Sequence, residues 1–254
     1  LELDPKDADA HSNYGVLLFK VRKDYDAAER EYKIALALED AGGGPVRLLS
    51  AGAAAEKPPV STSNSHKTTT TTNPAAHANY ATLLMNDRGE YDAAERHFRI
   101  ALEADPLSVT TLNNYALLQL NARDDAEAAE TLLRRALEAD PANALAHNSY
   151  GLLLKTKRRA YLSAEAHYSR AIEADPTYAA PLYNLGVLAH EVLKDLGRAE
   201  SLYRRALALD PHDAAARNNL GRLLEDRRDA SAASSSSSAC EGFERSAEAS
   251  REDS

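Results

Sequence analysis

The sequence predicts an all-α fold, a solenoid in which helix–turn–helix units stack one after another. The strongest indicator is a series of four Asp-Pro pairs set 35 residues apart, with prolines at Pro106, Pro141, Pro176 and Pro211. Helix-favouring runs such as RALEAD at 135–140 precede these pairs, and apolar residues at helical spacing lie between them. A sustained period of this length is the signature of a repeat array, whose core grows lengthwise by one unit at a time.

Extending the 35-residue interval in both directions divides the chain into units. We expect the end of a truncated preceding repeat at 1–5, one unit at 6–40, four units at 72–211 and a half repeat acting as a C-terminal capping helix at 212–229. Residues 41–71 interrupt the series with Gly, Pro and Thr runs, and 230–254 are rich in Ser. Such compositions bury too little apolar surface to fold, so we expect a disordered insertion and a disordered tail.

Within a unit, capping residue types mark the start of each helix. First helices are expected to open near Asp7, Asn73, Ser108, Asn143, Thr177 and Asp213, whose side chains can accept the free amide hydrogens of the first turn. Second helices are expected to open near Asp24, Asp125 and Asp195. They end just before the Asp-Pro pairs, because proline cannot continue a helix and disfavours helical backbone in the residue before it.

Each unit also repeats a pattern of small and large residues. In the first unit Gly15, Ala28 and Ala35 are small, and the large Tyr32 lies between the two alanines. Later units keep Gly or Ala at these three positions, and their large residues are Phe98, Leu133, Tyr168 and Tyr203. Because small side chains let helices approach closely, we expect the large residues to pack against the neighbouring helix.

Small–small–aromatic–small spacing with a terminal proline resembles the tetratricopeptide repeat (TPR). The resemblance implies a right-handed α-solenoid of helix–turn–helix TPR units whose first helices line a concave groove. The chain departs from the family pattern in two ways. His11, His77, Leu112, His147, Leu182 and Arg217 stand where the family commonly has Trp. The period is 35 residues rather than about 34, and the extra residue is expected between the helices, as in 20–24.

A glutamate follows the first small residue of every second helix, at Glu29, Glu95, Glu130, Glu165 and Glu200. In four of the five units Lys or Arg stands four residues later. Glu before a base at that spacing supports an exposed helix face. We interpret this face as the solvated convex surface of the array.

Composition narrows the classes of partner and compartment. The formal net charge of −9 opposes nucleic-acid binding, which needs a surplus of Lys and Arg. The one cysteine, Cys240, cannot form a disulfide within the chain, and no apolar run reaches the length of a membrane span. The sequence has no Asn-x-Ser/Thr acceptor motif, which favours an intracellular, cytoplasmic setting.

The sequence contains no residue pattern typical of a catalytic site. Histidines recur at equivalent positions of the units, at His11, His77 and His147 in the first helices and at His97 and His167 in the second. Metal ligands must converge, for example as a His pair one turn apart with further ligands, so this recurrence indicates a structural role. The Gly42–Gly44 run lacks the Lys and Ser/Thr of a phosphate-binding loop. We therefore expect no enzymatic activity, no metal and no cofactor.

Asparagines at equivalent positions are the best candidate for a binding site. The predicted peptide-binding residues are Asn13, Asn79, Asn114, Asn184 and Asn219, with Asn113, Asn148 and Asn218 beside them, while Ser149 breaks the series. An Asn side chain offers an amide donor and a carbonyl acceptor, so the row could pair with successive backbone amides of an extended peptide. A similar row is present in the TPR superhelix of O-linked N-acetylglucosamine transferase. Alternatively, these asparagines bond neighbouring helices to one another.

The predicted function is a non-catalytic protein–protein interaction scaffold that binds an extended peptide or partner segment in the concave groove. One subclass of the family, which binds chaperones, grips a C-terminal carboxylate with Lys, Asn and Arg. The corresponding positions here hold Ser12, Val16, Ala78, Thr82, Asn113 and Leu117, so we expect no carboxylate-clamp binding. Two alternatives stay open: the recognition arm of a larger enzyme such as a glycosyltransferase, and a helical-repeat RNA binder, which the acidic balance opposes.

Overall fold

The computed structural model describes residues 6–42 and 72–228, without the side chains of 40–42. The chain divides into two compact units, Leu1–Ala139 and Asp140–Ser254. All regular secondary structure in the described residues is helical, which confirms the predicted all-α helical-repeat class. The expectations for 1–5, for the insertion beyond residue 42 and for the tail from residue 230 onward lie outside the described residues.

The N-terminal unit contains three helix pairs. Its helices are α1 (Ala8–Leu17), α2 (Tyr25–Gly42), α3 (Pro74–Leu83), α4 (Tyr91–Ala104), α5 (Val109–Asn121) and α6 (Ala126–Ala139). The two members of each pair pack together, and α2 also packs on α3 as α4 does on α5. The first pair therefore stacks on the second, although the interruption separates them in sequence.

The C-terminal unit continues the same order of elements. Its helices are α7 (Ala144–Leu153), α8 (Tyr161–Ala174), α9 (Ala179–Leu188), α10 (Leu196–Leu209) and α11 (214–228). Helices α7 and α8 pack as one pair and α9 and α10 as the next, with α8 against α9. Buried Leu223 joins α11 to the core formed by α9 and α10.

The Asp-Pro turns explain why the period is so regular. The Asp105 carboxylate accepts the Leu107 N–H at 3.3 Å, and the Asp105 carbonyl accepts the Ser108 N–H at 3.3 Å. The same two bonds recur at Asp140, Asp175 and Asp210. Each turn therefore ends one second helix and fixes the residue at which the next first helix begins.

Most of the predicted capping residues cap a helix. Asp7, Asn73, Asn143 and Asp213 each accept the backbone N–H three residues later, and Asp24, Asp125 and Asp195 do the same for the second helices. Ser108 occupies its predicted position without a side-chain capping bond. Helix α9 opens near Thr177, as predicted, but its N-cap residue is Tyr178 rather than Thr177. The Tyr178 N–H bonds the Asp175 carbonyl at 3.2 Å, and this turn sets the helix start whatever the residue type.

In four of the five complete repeats the extra residue is accommodated at the end of the first helix. The helices α1, α3, α7 and α9 pass directly into π-helical turns at Leu18–Arg22, Leu84–Arg88, Leu154–Arg158 and Ala189–Leu193. A π-turn takes one more residue than an α-turn. A residue with positive φ then reverses the chain, at Lys23, Gly89, Asp124, Arg159 and Lys194. The turn between the helices is thus altered, as the longer period predicts.

The small and large residues of the pattern meet inside each helix pair. Tyr32, Phe98, Leu133, Tyr168 and Tyr203 are at most 1% exposed, as predicted for residues packed on a neighbouring helix. A Cβ added to Gly15 would lie 2.7 Å from Cε1 of Tyr32, and the Gly151–Tyr168 and Gly186–Tyr203 pairs have the same spacing. Units with Ala at the glycine position carry Phe98 or Leu133 instead of tyrosine. Glycine thus stands opposite each of the three tyrosines, and alanine opposite Phe98 and Leu133.

The interpretation of the second-helix glutamates as a solvated face is wrong. The Glu29 carboxylate forms salt bridges with Lys33 of its own helix and with Arg88 at the end of the next first helix. The Glu29 side chain is 20% exposed. Glu95 likewise binds Arg99 and Arg123. Glu165 and Glu200 bind Arg198 and Arg227 in the same way, so four of these glutamates link one repeat to the next within a unit.

Candidate peptide-binding face

Two of the predicted asparagines of the N-terminal unit make side-chain hydrogen bonds. Asn114 on α5 donates to the Thr82 hydroxyl of α3 at 3.2 Å, and that hydroxyl donates to the Ala78 carbonyl. Asn113 is fully buried, and its amide points to Asn114 Oδ1 at 3.4 Å. On the preceding first helices Asn79 is half-buried and Asn13 is exposed. The asparagines of α1, α3 and α5 therefore differ in exposure, with Asn13 exposed and Asn79 and Asn114 half-buried.

In the C-terminal unit the asparagines bond one another or a tyrosine hydroxyl. Asn184 on α9 donates to Asn148 Oδ1 of α7 at 2.9 Å, and Asn148 donates to the Tyr178 hydroxyl at 3.3 Å. Asn219 on α11 donates to the Tyr183 hydroxyl of α9 at 3.0 Å. Three consecutive first helices are thereby linked by amide and hydroxyl groups.

These bonds share one direction. Asn114, Asn184 and Asn219 each donate to a group on the first helix of the preceding repeat. The alternative role, a bond between neighbouring helices, therefore accounts for these three residues. Asn218 is exposed and Ser149 is buried. Peptide binding by the row stays a prediction.

The structure adds partners that sequence reasoning missed. Tyr183 holds the position that Asn113, Asn148 and Asn218 hold in other units, and its hydroxyl takes part in the polar network. Tyr178 is the N-cap residue of α9 and contributes a second hydroxyl. The sequence did offer one indication of this role: Tyr183 replaces asparagine at this repeat position, and a phenol can both donate and accept a hydrogen bond.

Charged groups border this face beyond the asparagines. Half-buried Lys155 lies in the π-turn that follows α7, seven residues after Asn148. Burial lowers the pKa of Lys155, an effect that Glu191 on the neighbouring π-turn partly offsets. On α11 Arg222 donates to Asn219 Oδ1 at 3.1 Å. Both signs of charge therefore border the polar network of the C-terminal unit.

The recurring histidines form pairs across the helices. His147 Nδ1 lies 2.9 Å from His167 Nδ1, and His77 Nδ1 lies 2.8 Å from His97 Nδ1. His11 meets Glu31 at the same place in the first unit. Two other units have leucines at these positions, Leu112 with Leu132 and Leu182 with Leu202. In every pair the two residues are 20 positions apart, and this constant separation is what the sequence offered to indicate the contact.

The hydrogen bonds of His147 define its tautomer. Its Nε2 lies 3.0 Å from the Pro141 carbonyl, which can only accept, so Nε2 carries a hydrogen. His147 Nδ1 then accepts from His167 Nδ1. Two facing nitrogens are too few to hold a metal ion. No group of three or more His, Cys, Asp or Glu suited to a metal occurs within 6–42 and 72–228.

The repeat, its small-residue pattern and its helix pairs agree with sequence comparison. Residues 87–144, 125–179, 151–213 and 188–234 each match the Tetratricopeptide repeat family, and together they cover more than half of the chain. The chain belongs to the tetratricopeptide repeat family. A comparison with curated protein sequences finds no significant match.

Solved TPR structures share the fold. The structure described as the APC/C hetero-tetramer Cut9-Hcn1 aligns with a TM-score of 0.64 and 15% identity, over 87% of this chain and 37% of that one. TTC0263, a thermophilic TPR protein of Thermus thermophilus, aligns with a TM-score of 0.63 and 18% identity, over 86% and 99%. Pseudomonas aeruginosa pilF gives 0.57 and 21%, over 86% and 83%. At these identities the likeness concerns the fold.

A TPR fold of this kind is typical of protein–protein interaction scaffolds. None of the described helices combines the length and apolar character that crossing a membrane requires.

Proposed function

We propose that this TPR protein is a non-catalytic scaffold that binds an extended segment of a partner protein along its first-helix face. The observation that carries the proposal is the network of Asn148, Asn184 and Asn219 with Tyr178 and Tyr183 in the C-terminal unit. It places hydrogen-bonding groups on each of three consecutive first helices, α7, α9 and α11.

The network keeps hydrogen-bonding capacity after its internal bonds are made. An Asn amide has two hydrogens and its carbonyl has two lone pairs, while the bond from Asn184 to Asn148 uses one of each. An extended peptide presents alternating N–H and C=O groups that these side chains can pair with. Recognition of this kind reads the backbone of the partner more than its side-chain sequence.

The flanking charges define the partner segment further. Half-buried Lys155 and exposed Arg222 would attract acidic side chains, although Arg222 lies 4.0 Å from the Glu191 carboxylate, which offsets part of its charge. A segment with acidic residues near both cations suits this face, whereas a nucleic acid would meet a chain of net charge −9.

Peptide display against the full chain tests the proposal. Selected peptides would be measured by fluorescence anisotropy against wild type and against Asn218→Ala. Asn218 is exposed and makes no side-chain bond among the described residues, so its loss should leave the unfolding temperature unchanged. We expect affinity to fall about tenfold, equivalent to ~1.4 kcal/mol, because a direct bond to the peptide is removed.

Asn184→Ala and Arg170→Ala complete the design. Asn184→Ala should reduce both affinity and stability, since it also breaks the bond to Asn148. Arg170 is exposed on the second helix α8, so Arg170→Ala should change neither. Failure to select any peptide, or affinities indifferent to both asparagine changes, would exclude the proposed face. Tight binding of single-stranded RNA at physiological salt would favour the RNA-binding alternative. Peptides that bind only with a free C-terminal carboxylate would contradict the prediction of no carboxylate-clamp binding.

A further inference from the structure

A cavity of about 370 Å³ opens between the second helices α8 and α10 of the C-terminal unit. Its floor is apolar and consists of Ile172 of α8, Leu185 of α9 and Leu202 of α10, of which the two leucines are buried. Its polar rim comes from α8 and α10, whereas the candidate peptide-binding face lies on first helices. A concave site of this size, with an apolar floor and a few polar groups, is typical of a ligand pocket.

Two large side chains fill the equivalent groove of the N-terminal unit. Tyr115 of α5 stands at the position of Leu185, and Arg99 of α4 stands at the position of Ser169, which also lines the cavity. The Tyr115 hydroxyl accepts from Arg99 Nε at 3.2 Å and donates to Glu95 at 3.0 Å. Leucine and serine therefore remove a phenol and a guanidinium from this groove, and the cavity lies where these two groups would be.

Elsewhere in the chain a base on one second helix accompanies a tyrosine on the next first helix. The sequence contains five such position pairs: Lys33 with Tyr80, Arg99 with Tyr115, Arg134 with Tyr150, Ser169 with Leu185, and Arg204 with Leu220. Lys33 and the Tyr80 hydroxyl also interact with each other, as Arg99 and Tyr115 do. Of the five pairs, only Ser169 with Leu185 lacks both the base and the tyrosine.

Arg198 of α10 replaces the missing base but not the missing tyrosine. The residues equivalent to Arg198 are small: Ala27, Ala93, Ala128 and Ser163. Arg198 Nη1 lies 2.5 Å from Glu165, which is the equivalent of Glu95, and Arg198 lines the cavity. The groove thus keeps the carboxylate and the guanidinium that hold the Tyr115 hydroxyl in the other unit, while Leu185 supplies no phenol to bond them.

The charges around the cavity favour a neutral occupant. Arg205 and Glu173 line it with opposite signs, and Arg198 is paired with Glu165. A basic side chain would therefore meet two guanidinium groups that are already present. A neutral phenol suits these surroundings, because its hydroxyl can accept from a guanidinium and donate to a serine or carboxylate oxygen.

We propose that the cavity between α8 and α10 is a second binding site, which takes a tyrosine side chain of a partner protein. The ring packs on Leu185 and Leu202, and the hydroxyl bonds Arg198 and Ser169. This site is separate from the first-helix face, so a partner can be bound by either site alone or by both together.

Ligand-observed NMR with the full chain tests the site, with the peptide acetyl-Ala-Tyr-Ala-amide as the probe. For a ligand of this size we expect a dissociation constant on the order of 1 mM. Replacing the tyrosine of the probe by phenylalanine should weaken binding about fivefold, because the hydrogen bonds of the hydroxyl are lost. An arginine probe should bind more weakly still, since Arg198 and Arg205 repel it.

A double substitution fills the cavity with side chains that the chain already uses. Ser169→Arg combined with Leu185→Tyr copies Arg99 and Tyr115, so circular dichroism and the unfolding temperature should show a folded protein. The probe should then bind about tenfold more weakly or worse, because its place is occupied.

Two single substitutions on exposed positions complete the design. Ser201→Arg narrows the entrance of the cavity, and Arg96 at the equivalent position shows that the fold accepts arginine there. It should weaken binding as the double substitution does, and it gives an answer even if the double variant fails to fold. Ala166→Arg adds the same charge to exposed α8 surface outside the cavity, so it is the matched control and should leave binding unchanged.

The outcomes separate this site from the first-helix face. Asn218→Ala, which tests that face, should not alter affinity for the tyrosine probe. Absence of probe binding, or binding that persists in the Ser201→Arg variant, overturns the proposal. A phenylalanine probe that binds as tightly as the tyrosine probe also overturns it, because the hydroxyl would then play no part in recognition.

Discussion

Gly151 and Tyr168 fit so closely that a β-carbon on Gly151 would lie 2.7 Å from Cε1 of the tyrosine. Both residues are buried, and the ring cannot retreat without disturbing the core of α7 and α8. We expect Gly151→Ala to lower the free energy of unfolding by about 1–3 kcal/mol through overpacking, measured by urea denaturation. Addition of Tyr168→Leu should recover most of the loss, because the unit with Ala116 carries Leu133.

Gly221→Ala is the matched control for that prediction. The position has open space, so alanine should raise the free energy of unfolding by about 1 kcal/mol through helix propensity alone. Equal losses at Gly151 and Gly221 would mean that the ring contact is not the cause.

The buried tyrosine hydroxyls give a second prediction. The hydroxyls of Tyr32, Tyr168 and Tyr203 have no hydrogen-bond partner among the described residues, and burial raises the pKa of each phenol. Tyr168→Phe should therefore leave the free energy of unfolding unchanged or raise it by up to about 1 kcal/mol, since no bond is lost and an unpaired polar group is removed. Phe98 already occupies this position in another unit.

Tyr115→Phe should behave in the opposite way. Its hydroxyl donates to Glu95 at 3.0 Å and accepts from Arg99 at 3.2 Å. Thermal and urea unfolding should show a loss of about 0.5–1.5 kcal/mol. Similar effects of the two substitutions would contradict the assignment of bonded and unbonded hydroxyls.

The histidine pairs predict a loss of stability in acid. Burial lowers the pKa of His77, His97 and His167 to about 4, from about 6.5 for an exposed histidine. Between these values the unfolded chain binds protons that the folded chain does not, so stability present above pH ~6.5 falls as the pH decreases toward 4. Each such histidine contributes at most about 1.4 kcal/mol per pH unit. Urea unfolding across this range measures the slope.

The leucine pairs of the same chain supply the control. Replacing His147 and His167 together by leucine copies Leu112 with Leu132 and removes one pair. The slope of stability against pH between 6.5 and 4 should decrease. An unchanged slope would show that burial of His167 does not cause the loss of stability in acid.

The link between Glu165 and Arg198 predicts coupling between consecutive repeats. Arg198 Nη1 lies 2.5 Å from Glu165 Oε1, and Ser169 stands where other units have the base that pairs within the helix. Arg198→Ala should lower the free energy of unfolding by about 0.2–1 kcal/mol, and less at high salt. In a double-mutant cycle with Glu165→Gln the two losses should not add. Exposed Arg205, on the same helix and without an ion pair among the described residues, is the control, and strict additivity would refute the coupling.

The sequence by itself determined the repeat, the helix pairs and most helix starts. Asp105 and its equivalents bond backbone N–H groups two and three residues later, so the turns that they form can be predicted from neighbouring residues alone. Small residues such as Gly15 and Ala28 recur because every helix pair needs close approach, and recurrence makes them visible without coordinates.

Only the tertiary structure decided which equivalent positions meet. His147 and His167 are 20 residues apart, and Asn184 reaches Asn148 across 36, so no local pattern could pair them. A period identifies equivalent residues in every repeat, but it does not state which side of a helix faces the next repeat. The side that faces the next repeat depends on helix packing. Packing makes Glu29, expected to be solvated, a link to Arg88, and it gives Asn114, Asn184 and Asn219 partners on the preceding first helix.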